Sequence, residues 1–290
     1  MKITTPSLEE VCEFLCHSAI EIGGLLMSSF CTAGLATKEV EQREKGSFTK
    51  EAFTGADITS QKLMIMRTEA EVLFDVYVLA EEKTPIDKRF QEQRQGQKRN
   101  AFVYDCLDGT HNFTQKSHMF GVSLGFMDGN DFKAGVVYLP LEKRMYYAVE
   151  GKGAFSWRFG AGSRRVQLRK SSSNRIAVSS KTPEQVLQGI REKGFDWEMH
   201  KSSAYSVAQI LDGKINAHST IKSNIWDIGP GFYIVRQAGG VVCDIKGESF
   251  AFDRAPESQI GKAQFFAFDS ERSKELLLPI FAVYKPQQSQ

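Results

Sequence analysis

Cysteine is scarce in this chain of 290 residues, and its spacing follows no recognisable pattern. Five cysteines, an odd number without a paired Cys-x-x-Cys motif, argue against both a disulfide framework and a structural zinc site. An excess of one charge sign is also missing, because 37 lysines and arginines face 35 aspartates and glutamates. That balance gives no electrostatic footprint for a nucleic-acid polymer or a membrane. The cysteine pattern favours a reducing compartment, so we expect a cytoplasmic protein. The charge balance leads us to expect neither a nucleic-acid polymer nor a membrane as its partner.

A long uninterrupted apolar segment is absent from the N-terminal region. Acidic residues at positions 9, 10, 13 and 21 divide the first apolar stretch, so we expect neither a signal peptide nor a membrane-spanning helix. Ser7 precedes Glu10 by three residues, which is a capping-box pattern, and apolar residues then recur at helical spacing. The pattern predicts an amphipathic helix from Ser7 to Phe30.

Two aspartates, Asp105 and Asp108, lie three residues apart after an apolar tetrapeptide. The tetrapeptide predicts a short buried strand with Asp105 at its end. The two carboxylates would repel each other unless a cation lay between them, and Mg²⁺ prefers carboxylate and carbonyl oxygens, such as that of Leu107. Gly109 and Thr110 would open a turn or helix whose free N–H groups suit a phosphate. For this motif alone, an acidic loop that caps a helix is an equally good interpretation.

Acidic residues elsewhere in the chain favour the metal-binding interpretation. Residues 76–80 are mostly β-branched, aromatic or apolar, and they predict a strand that delivers Glu81 and Glu82 at its end. Asp227 is followed closely by Gly229 and Pro230, which fits a helix N-cap with proline in the first turn. Three separate segments thus carry candidate carboxylate ligands.

Two segments of the chain resemble family signatures. Residues 105–113, Asp-Cys-Leu-Asp-Gly-Thr-His-Asn-Phe, resemble the Asp-Pro-Ile-Asp-Gly-Thr-x-Asn-Phe signature of the inositol monophosphatase superfamily, and Cys106 replaces its proline without removing a ligand. Residues 226–240 resemble the second signature of that superfamily, and the similarity extends over roughly residues 50 to 250. The resemblance implies an α+β fold, a layered αβαβα sandwich of the sugar-phosphatase type with two tightly joined halves.

The two halves are predicted to meet in the glycine- and serine-rich segment 159–173. The first half, residues 1–165, would carry Asp57, Glu81 and the motif Asp105–Thr110. The second half, residues 166–290, would carry Asp227, and its alternating helices and strands indicate a layered sheet.

The resemblance also implies roles for individual residues. It assigns two or three Mg²⁺ ions to Glu81, Asp105, the Leu107 carbonyl, Asp108 and Asp227. Glu81 and Thr110 would position the attacking water, and Asp57 would accept a hydrogen bond from Thr110. Gly109, Thr110 and Asp227 would contact the substrate. The implied protein is a Mg²⁺-dependent phosphomonoesterase, and its relatives are commonly homodimers. Its substrate would be a small phosphorylated polyol or sugar such as inositol 1-phosphate.

One departure from the family pattern concerns substrate choice. Inositol-selective members place an acidic residue seven positions before the second-signature aspartate, and this chain has Thr220 there. The segment 224–227 and the pair Ser202-Ser203 resemble the branch that removes the 3′-phosphate from 3′-phosphoadenosine 5′-phosphate. A 3′(2′),5′-bisphosphate nucleotidase is therefore the alternative function.

A second alternative comes from the Gly-x-Ser-x-Gly pattern at residues 121–125, which serine hydrolases use to expose a nucleophile. That role requires a sharp strand-to-helix turn, whereas this segment continues as a strand into a hairpin around Asp128 and Gly129. We therefore expect Ser123 to be a strand residue rather than a nucleophile.

Two polar segments, residues 39–53 and 83–100, show no periodicity and are predicted to be surface loops, the first with a pivot at Gly46.

Overall fold

The computed structural model describes residues 7–31, 37–38, 53–82, 100–129, 131–249 and 264–282. Both predicted polar loops lie outside the described residues, except for positions 53 and 100, which belong to strands.

The described residues form seven α-helices and fourteen strands. The helices are α1 (Leu8–Cys31), α2 (Gly55–Glu71), α3 (Thr110–Thr114), α4 (Glu184–Glu192), α5 (Ser203–Leu211), α6 (Ile225–Gln237) and α7 (Glu271–Ala282). The first seven strands are β1 (Thr37–Lys38), β2 (Phe53–Thr54), β3 (Tyr77–Ala80), β4 (Asn100–Asp108), β5 (Gly121–Asp128), β6 (Asp131–Leu139) and β7 (Arg144–Val149). The others are β8 (Gly153–Arg158), β9 (Gly162–Val166), β10 (Arg175–Ala177), β11 (Asp196–Glu198), β12 (Ala217–Ile221), β13 (Val241–Asp244) and β14 (Gln264–Phe268).

Two large sheets contain most of these strands. The first sheet has the order β3-β4-β5-β6-β7-β8-β9, in which β3 and β4 are parallel and the remaining neighbours are antiparallel. The second sheet has the order β11-β10-β12-β14-β13, with β10 parallel to both of its neighbours. The hairpin predicted around Asp128 is the β5–β6 connection.

Helices separate and cover the two sheets in five layers. α1 and α2 pack on the outer face of the first sheet, α5 and α6 lie between the sheets, and α4 and α7 cover the second sheet. Three apolar cores fill the spaces between these layers. Because each sheet is covered on both faces, its strands are rich in buried apolar residues. The predicted layered α+β sandwich is therefore confirmed.

The first sheet ends at Val166 and the second begins at Arg175. α5 and α6, which follow β10 in the chain, nevertheless pack against strands of the first sheet. The division of the chain into halves at residues 165 and 166 stays a prediction.

Helix α1 begins one residue after Ser7, whose hydroxyl accepts a 3.4 Å hydrogen bond from the Glu10 N–H. By length and composition alone, α1 is apolar enough to cross a membrane. In this fold it packs across β5 and β6, with Val11, Leu15 and Leu26 among its fully buried residues.

Candidate active site

The ends of β3 and β4 place two acidic residues side by side. These strands are parallel and pair Ala80 with Tyr104, so Glu81 and Asp105 follow at the same edge of the sheet. The sequence-based prediction that the strand ends at Asp105 is wrong, because β4 continues to Asp108. Between these two aspartates, the pairing with β5 slips by one residue. A bulge of this kind changes the alternation of side chains, which brings both aspartates to the same cavity.

Three carboxylates form the centre of this cavity. Glu81, Asp105 and Asp227 each offer an oxygen atom, and these oxygens lie within 4.8 Å of one another. The group consists only of oxygen donors, and the Leu107 carbonyl and Asp108 line the same cavity. Hard cations such as Mg²⁺ or Ca²⁺ take such ligands, so the residues fit the predicted metal site.

The protonation of the cluster reflects burial and mutual repulsion. Burial raises the pKa of Glu81 to about 9, and the charges of Asp227 and Asp57 add to the rise. Asp105 is 1% exposed, and burial together with the nearby Glu81 and Asp108 holds its pKa well above its usual range. A bound cation favours the ionised forms and would reverse both shifts.

Glu81 is positioned by a partner that the sequence did not indicate. The Gln61 side chain, on α2, donates from Nε2 to the Glu82 carbonyl at 2.5 Å and accepts the Glu82 N–H through Oε1 at 2.8 Å. Gln61 is only 1% exposed, so this reciprocal pair fixes the backbone directly after Glu81. A buried glutamine on a polar helix gave no sequence signal of this contact.

Asp108 is held by the N-terminus of α5. Its Oδ2 accepts hydrogen bonds from Ser202 Oγ at 2.6 Å and from the Ala204 N–H at 2.5 Å. Burial raises the pKa of Asp108 to about 6, although the bonds from Ser202, Ala204 and Ser203 lower it. Ser202 is also the N-cap of α5 and accepts the Tyr205 N–H at 3.1 Å. A capping serine before a helix signals the cap alone, and nothing in the sequence pattern refers to the bond with Asp108.

Asp227 lies in the first turn of α6, and its predicted N-cap position is wrong. The N-cap is Asn224, and the Asp227 carboxylate accepts the Asn224 N–H at 2.7 Å, as the third residue of a capping box does. The helix therefore begins before Asp227, and Pro230 lies in its interior.

A glycine in the first sheet lets α6 lie close enough for Asp227 to reach the cluster. A Cβ atom at Gly135 would lie 2.7 Å from the Pro230 carbonyl oxygen. Only glycine permits this approach of backbone to backbone.

Ser123 is a buried strand residue, as the sequence predicted. It lies in β5 and is 1% exposed. Its hydroxyl donates to the Trp226 carbonyl at 3.3 Å, the carbonyl that Pro230 leaves without an N–H partner in the helix. Ser123 therefore supports α6 beneath the site.

Replacing this serine separates the two interpretations. Ser123→Ala should keep turnover within about twofold of wild type and lower the free energy of unfolding by about 1 kcal/mol, the value of one hydrogen bond. Steady-state kinetics and urea unfolding measure the two effects. A loss of several orders of magnitude in kcat with normal folding would restore the nucleophile interpretation.

Thr110 and Asp57 form a hydrogen-bonded pair beside the cluster. Thr110 Oγ1 lies 3.0 Å from Asp57 Oδ2 and 3.1 Å from the Leu107 carbonyl oxygen, and its single proton can serve either acceptor. Asp57 lies in the first turn of α2 and is 3% exposed. Burial raises the pKa of Asp57 to about 7, despite the opposing effect of the Thr110 bond. The pair can therefore accept a proton near neutral pH.

Gly109 joins β4 to the short helix α3. Its φ of 89° is left-handed, and a Cβ atom there would lie 2.9 Å from the Met119 carbonyl oxygen. Both features exclude a side chain without strain.

All but one of the predicted site residues line a single cavity of about 290 Å³: Glu81, Asp105, Leu107, Asp108, Gly109, Thr110 and Asp227. Asp57 is not part of the lining and contacts Thr110 from behind. Ser202, His218, Ser219 and Thr220 also line this cavity. The Thr220 hydroxyl donates to the Phe265 carbonyl at 3.3 Å.

The raised pKa values predict how stability depends on pH without metal. Folded protein keeps protons on Glu81, Asp57 and Asp108 that unfolded protein releases. The contribution of these protons to the free energy of unfolding is full at a pH below the pKa values of the unfolded protein. It is lost as the pH rises through the pKa values of the folded protein, up to about 9. The melting temperature of metal-free protein should therefore fall across this window, and saturating Mg²⁺ should flatten the fall. Parallel curves with and without Mg²⁺ would contradict this.

Comparisons with known proteins agree with the geometry. A model described as the inositol monophosphatase family matches residues 7–281. The chain is 30% identical over 160 residues to the fructose-1,6-bisphosphatase/inositol-1-monophosphatase of Thermotoga maritima, a match covering 53% of this chain and 60% of that relative. It is 27% identical over 250 residues to the 3′(2′),5′-bisphosphate nucleotidase CysQ of Salmonella typhimurium, covering 84% and 93%.

Solved structures extend the similarity to the whole fold. An IMPase/NADP phosphatase complexed with NADP and Ca²⁺ matches with a TM-score of 0.75 at 17% identity, covering 96% of this chain and 97% of that chain. The Thermotoga relative is matched over less than two thirds of its length, whereas the family model covers nearly all of this chain. The chain belongs to the inositol monophosphatase family.

Proposed function

We propose that this chain is a Mg²⁺-dependent phosphomonoesterase that releases phosphate from a small phosphorylated polyol, sugar or nucleotide. The observation that carries the proposal is the carboxylate cluster of Glu81, Asp105 and Asp227, with oxygens within 4.8 Å of one another. The Thr110–Asp57 pair lies beside this cluster and supplies a proton acceptor. Family membership supports the reaction class, and the Ca²⁺ in a solved structure with the same fold supports a divalent cation.

The ligands for two or three Mg²⁺ ions would be Glu81, Asp105, the Leu107 carbonyl, Asp108 and Asp227. When bound, such cations neutralise phosphoryl oxygens and lower the pKa of water. The protein's own groups then hold and orient the reactants. Gly109 and Thr110 provide backbone N–H groups at the substrate phosphate, and Asp227 also contacts the substrate.

Thr110 and Asp57 handle the proton of the attacking water. While the Thr110 hydroxyl donates to Asp57, its oxygen lone pairs can accept a hydrogen bond from that water. As the water attacks phosphorus, its proton can pass to Thr110 and the Thr110 proton to Asp57. The bond between phosphorus and the ester oxygen breaks in the same step. Asp105, Asp108 and Asp227 would hold the cations that stabilise the leaving alkoxide, which then takes a proton from solvent water. The pKa of Asp57, about 7, suits an acceptor at neutral pH. Glu81 orients the same water, and no covalent enzyme intermediate is required.

A 3′(2′),5′-bisphosphate nucleotidase is the second candidate, and one observation favours it. Thr220 occupies the position of the inositol-selective acidic residue, and its hydroxyl is engaged with the Phe265 carbonyl. The site thus lacks a carboxylate at that point for inositol hydroxyls. The similarity to CysQ over 93% of that relative supports the same candidate.

A substrate panel tests the proposal and ranks the candidates. Phosphate release is measured in Mg²⁺ with inositol 1-phosphate, fructose 1,6-bisphosphate and 3′-phosphoadenosine 5′-phosphate, and kcat/KM is compared. A kcat/KM highest for the nucleotide supports the second candidate, and one highest for inositol 1-phosphate supports the first. No release from any ester would refute a phosphomonoesterase.

The proposal includes a cytoplasmic homodimer without a nucleic-acid polymer or a membrane as partner. None of the five cysteines, all of which lie in the described part of the chain, forms a disulfide, which suits a reducing compartment. Light scattering on the purified protein tests the dimer, and a monomer mass would refute it.

A further inference from the structure

The cavity around the carboxylate cluster is also rich in hydroxyl groups. Seven serines line it: Ser179, Ser180, Ser202, Ser203, Ser206, Ser219 and Ser223. Ser219 is 2% exposed, and its hydroxyl lacks a hydrogen-bond partner within the part of the chain that the structure describes. A buried hydroxyl without a partner costs free energy, so this atom indicates a polar ligand group nearby.

Lys201 is the only lysine or arginine among the described residues that line this cavity. The backbone around it is fixed on both sides. The His200 carbonyl accepts a 2.6 Å bond from Asn112 Nδ2, and the Ser202 hydroxyl donates to Asp108 at 2.6 Å. The backbone of Lys201 is therefore held at a constant position relative to the carboxylate cluster.

The charge of Lys201, whose φ is 54°, is the property that points to a ligand. Its ammonium lies 3.1 Å from His111 Nε2, a neutral acceptor when the ring is unprotonated. Across the described ranges, no carboxylate oxygen lies within 4.0 Å of it. The charge is therefore not neutralised by a carboxylate of the described residues, and an anion in the cavity that Lys201 lines would attract it.

We propose that Lys201 binds a second phosphate of the substrate while the carboxylate cluster and its cations hold the phosphate that is cleaved. The site then prefers a bisphosphate over a monophosphate of the same sugar or nucleoside. This inference rests on the proposed phosphatase function. An ammonium and a phosphate oxygen form a charge-assisted hydrogen bond, which is stronger than a bond between neutral groups.

The test compares two pairs of substrates in wild type and in Lys201→Met, which removes the charge and keeps an unbranched chain. The nucleoside pair is 3′-phosphoadenosine 5′-phosphate and adenosine 3′-monophosphate. The sugar pair is fructose 1,6-bisphosphate and fructose 1-phosphate. We expect Lys201→Met to lower kcat/KM for the preferred bisphosphate about 10- to 100-fold more than for its monophosphate. Lys201→Arg should restore most of the preference, because it keeps the charge.

Lys222 supplies a matched control. It is also an exposed lysine with a left-handed φ of 57°, and its neighbours Ile221 and Ser223 line the cavity, but Lys222 does not. Lys222→Met should leave the preference unchanged.

Each outcome of the comparison has a distinct meaning. Equal losses on bisphosphate and monophosphate, or no loss on either, would overturn the assignment of Lys201 and leave the phosphatase function intact. Failure of wild type to release phosphate from these four esters and from inositol 1-phosphate would refute the proposed function and this inference together. Release from inositol 1-phosphate alone would overturn the inference and leave the phosphatase function intact. The substrate pair that shows the loss identifies whether the second phosphate belongs to a nucleoside or to a sugar.

Discussion

Asp105→Asn is expected to abolish turnover and to make the metal-free protein more stable. Asp105 is buried among Glu81, Asp108 and Asp227, and its ionised form is disfavoured by burial and by their charges. Asparagine removes this charge and can still accept the Leu107 N–H, which lies 3.1 Å from Asp105 Oδ1. The loss of a ligand for the cations should lower kcat by at least about 10²- to 10³-fold.

Stability and metal response should change in opposite directions in this variant. The melting temperature of metal-free protein at pH 8 should rise, by about 2–4 °C for each kcal/mol of repulsion removed. The further rise that Mg²⁺ causes in wild type should be lost, because binding to native protein is what produces it. Scanning calorimetry with and without Mg²⁺ measures both effects.

Asp269→Asn is a suitable control for this experiment. Asp269 is 1% exposed and accepts bonds from the Ser171 N–H, Ser273 and Asn216, but it does not line the cavity. This control should lower the melting temperature and leave the Mg²⁺ response intact. An Asp105→Asn protein that still responds to Mg²⁺ and turns over normally would refute the metal-binding role of Asp105.

Thr110→Ala should lower kcat by about 10²- to 10⁴-fold, the usual value of one proton-transfer contact. KM should change much less, because the backbone N–H groups of Gly109 and Thr110 and the carboxylates remain. The Thr110 hydroxyl contacts Asp57 at 3.0 Å and is expected to act when the water moves toward phosphorus. Thr114→Ala is the control, since Thr114 lies in the same short helix and its hydroxyl donates to the His111 carbonyl.

A double-mutant cycle tests whether Thr110 and Asp57 act together. Asp57→Asn should lower kcat in the same way, and the double variant should lose far less than the product of the two single losses. Steady-state kinetics of the four proteins measure this coupling. Single losses that multiply cleanly, or a Thr110→Ala effect confined to KM, would show that the two residues do not share the water.

The sequence was sufficient to predict the layered fold and the segments that supply the carboxylates. The strand before Asp-x-x-Asp-Gly-Thr can be recognised from consecutive residues alone, and so can the helix that begins near Asp227. Local patterns were less reliable about where elements end. The bulge that extends β4 to Asp108 depends on pairing with β5, and the cap at Asn224 competed with an equally plausible cap at Asp227.

The partners that position the carboxylates could not be predicted, because they come from distant parts of the chain. Ser202 binds Asp108 across 94 residues, and Gln61 binds Glu82 across 21. Neither contact produces a periodic or capping signal that refers to its partner. The role of Ser123 similarly depends on Trp226, 103 residues away, and on the proline that frees its carbonyl.

Phosphate release by the wild-type protein, measured with and without Mg²⁺, tests the metal-dependent mechanism most directly. The substrate is the ester with the highest kcat/KM in the panel, and metal is removed with excess chelator before the assay. If the oxygens of Glu81, Asp105 and Asp227 hold the catalytic cations, release should stop in chelator and return when Mg²⁺ is added in excess. Full turnover in excess chelator would contradict the mechanism.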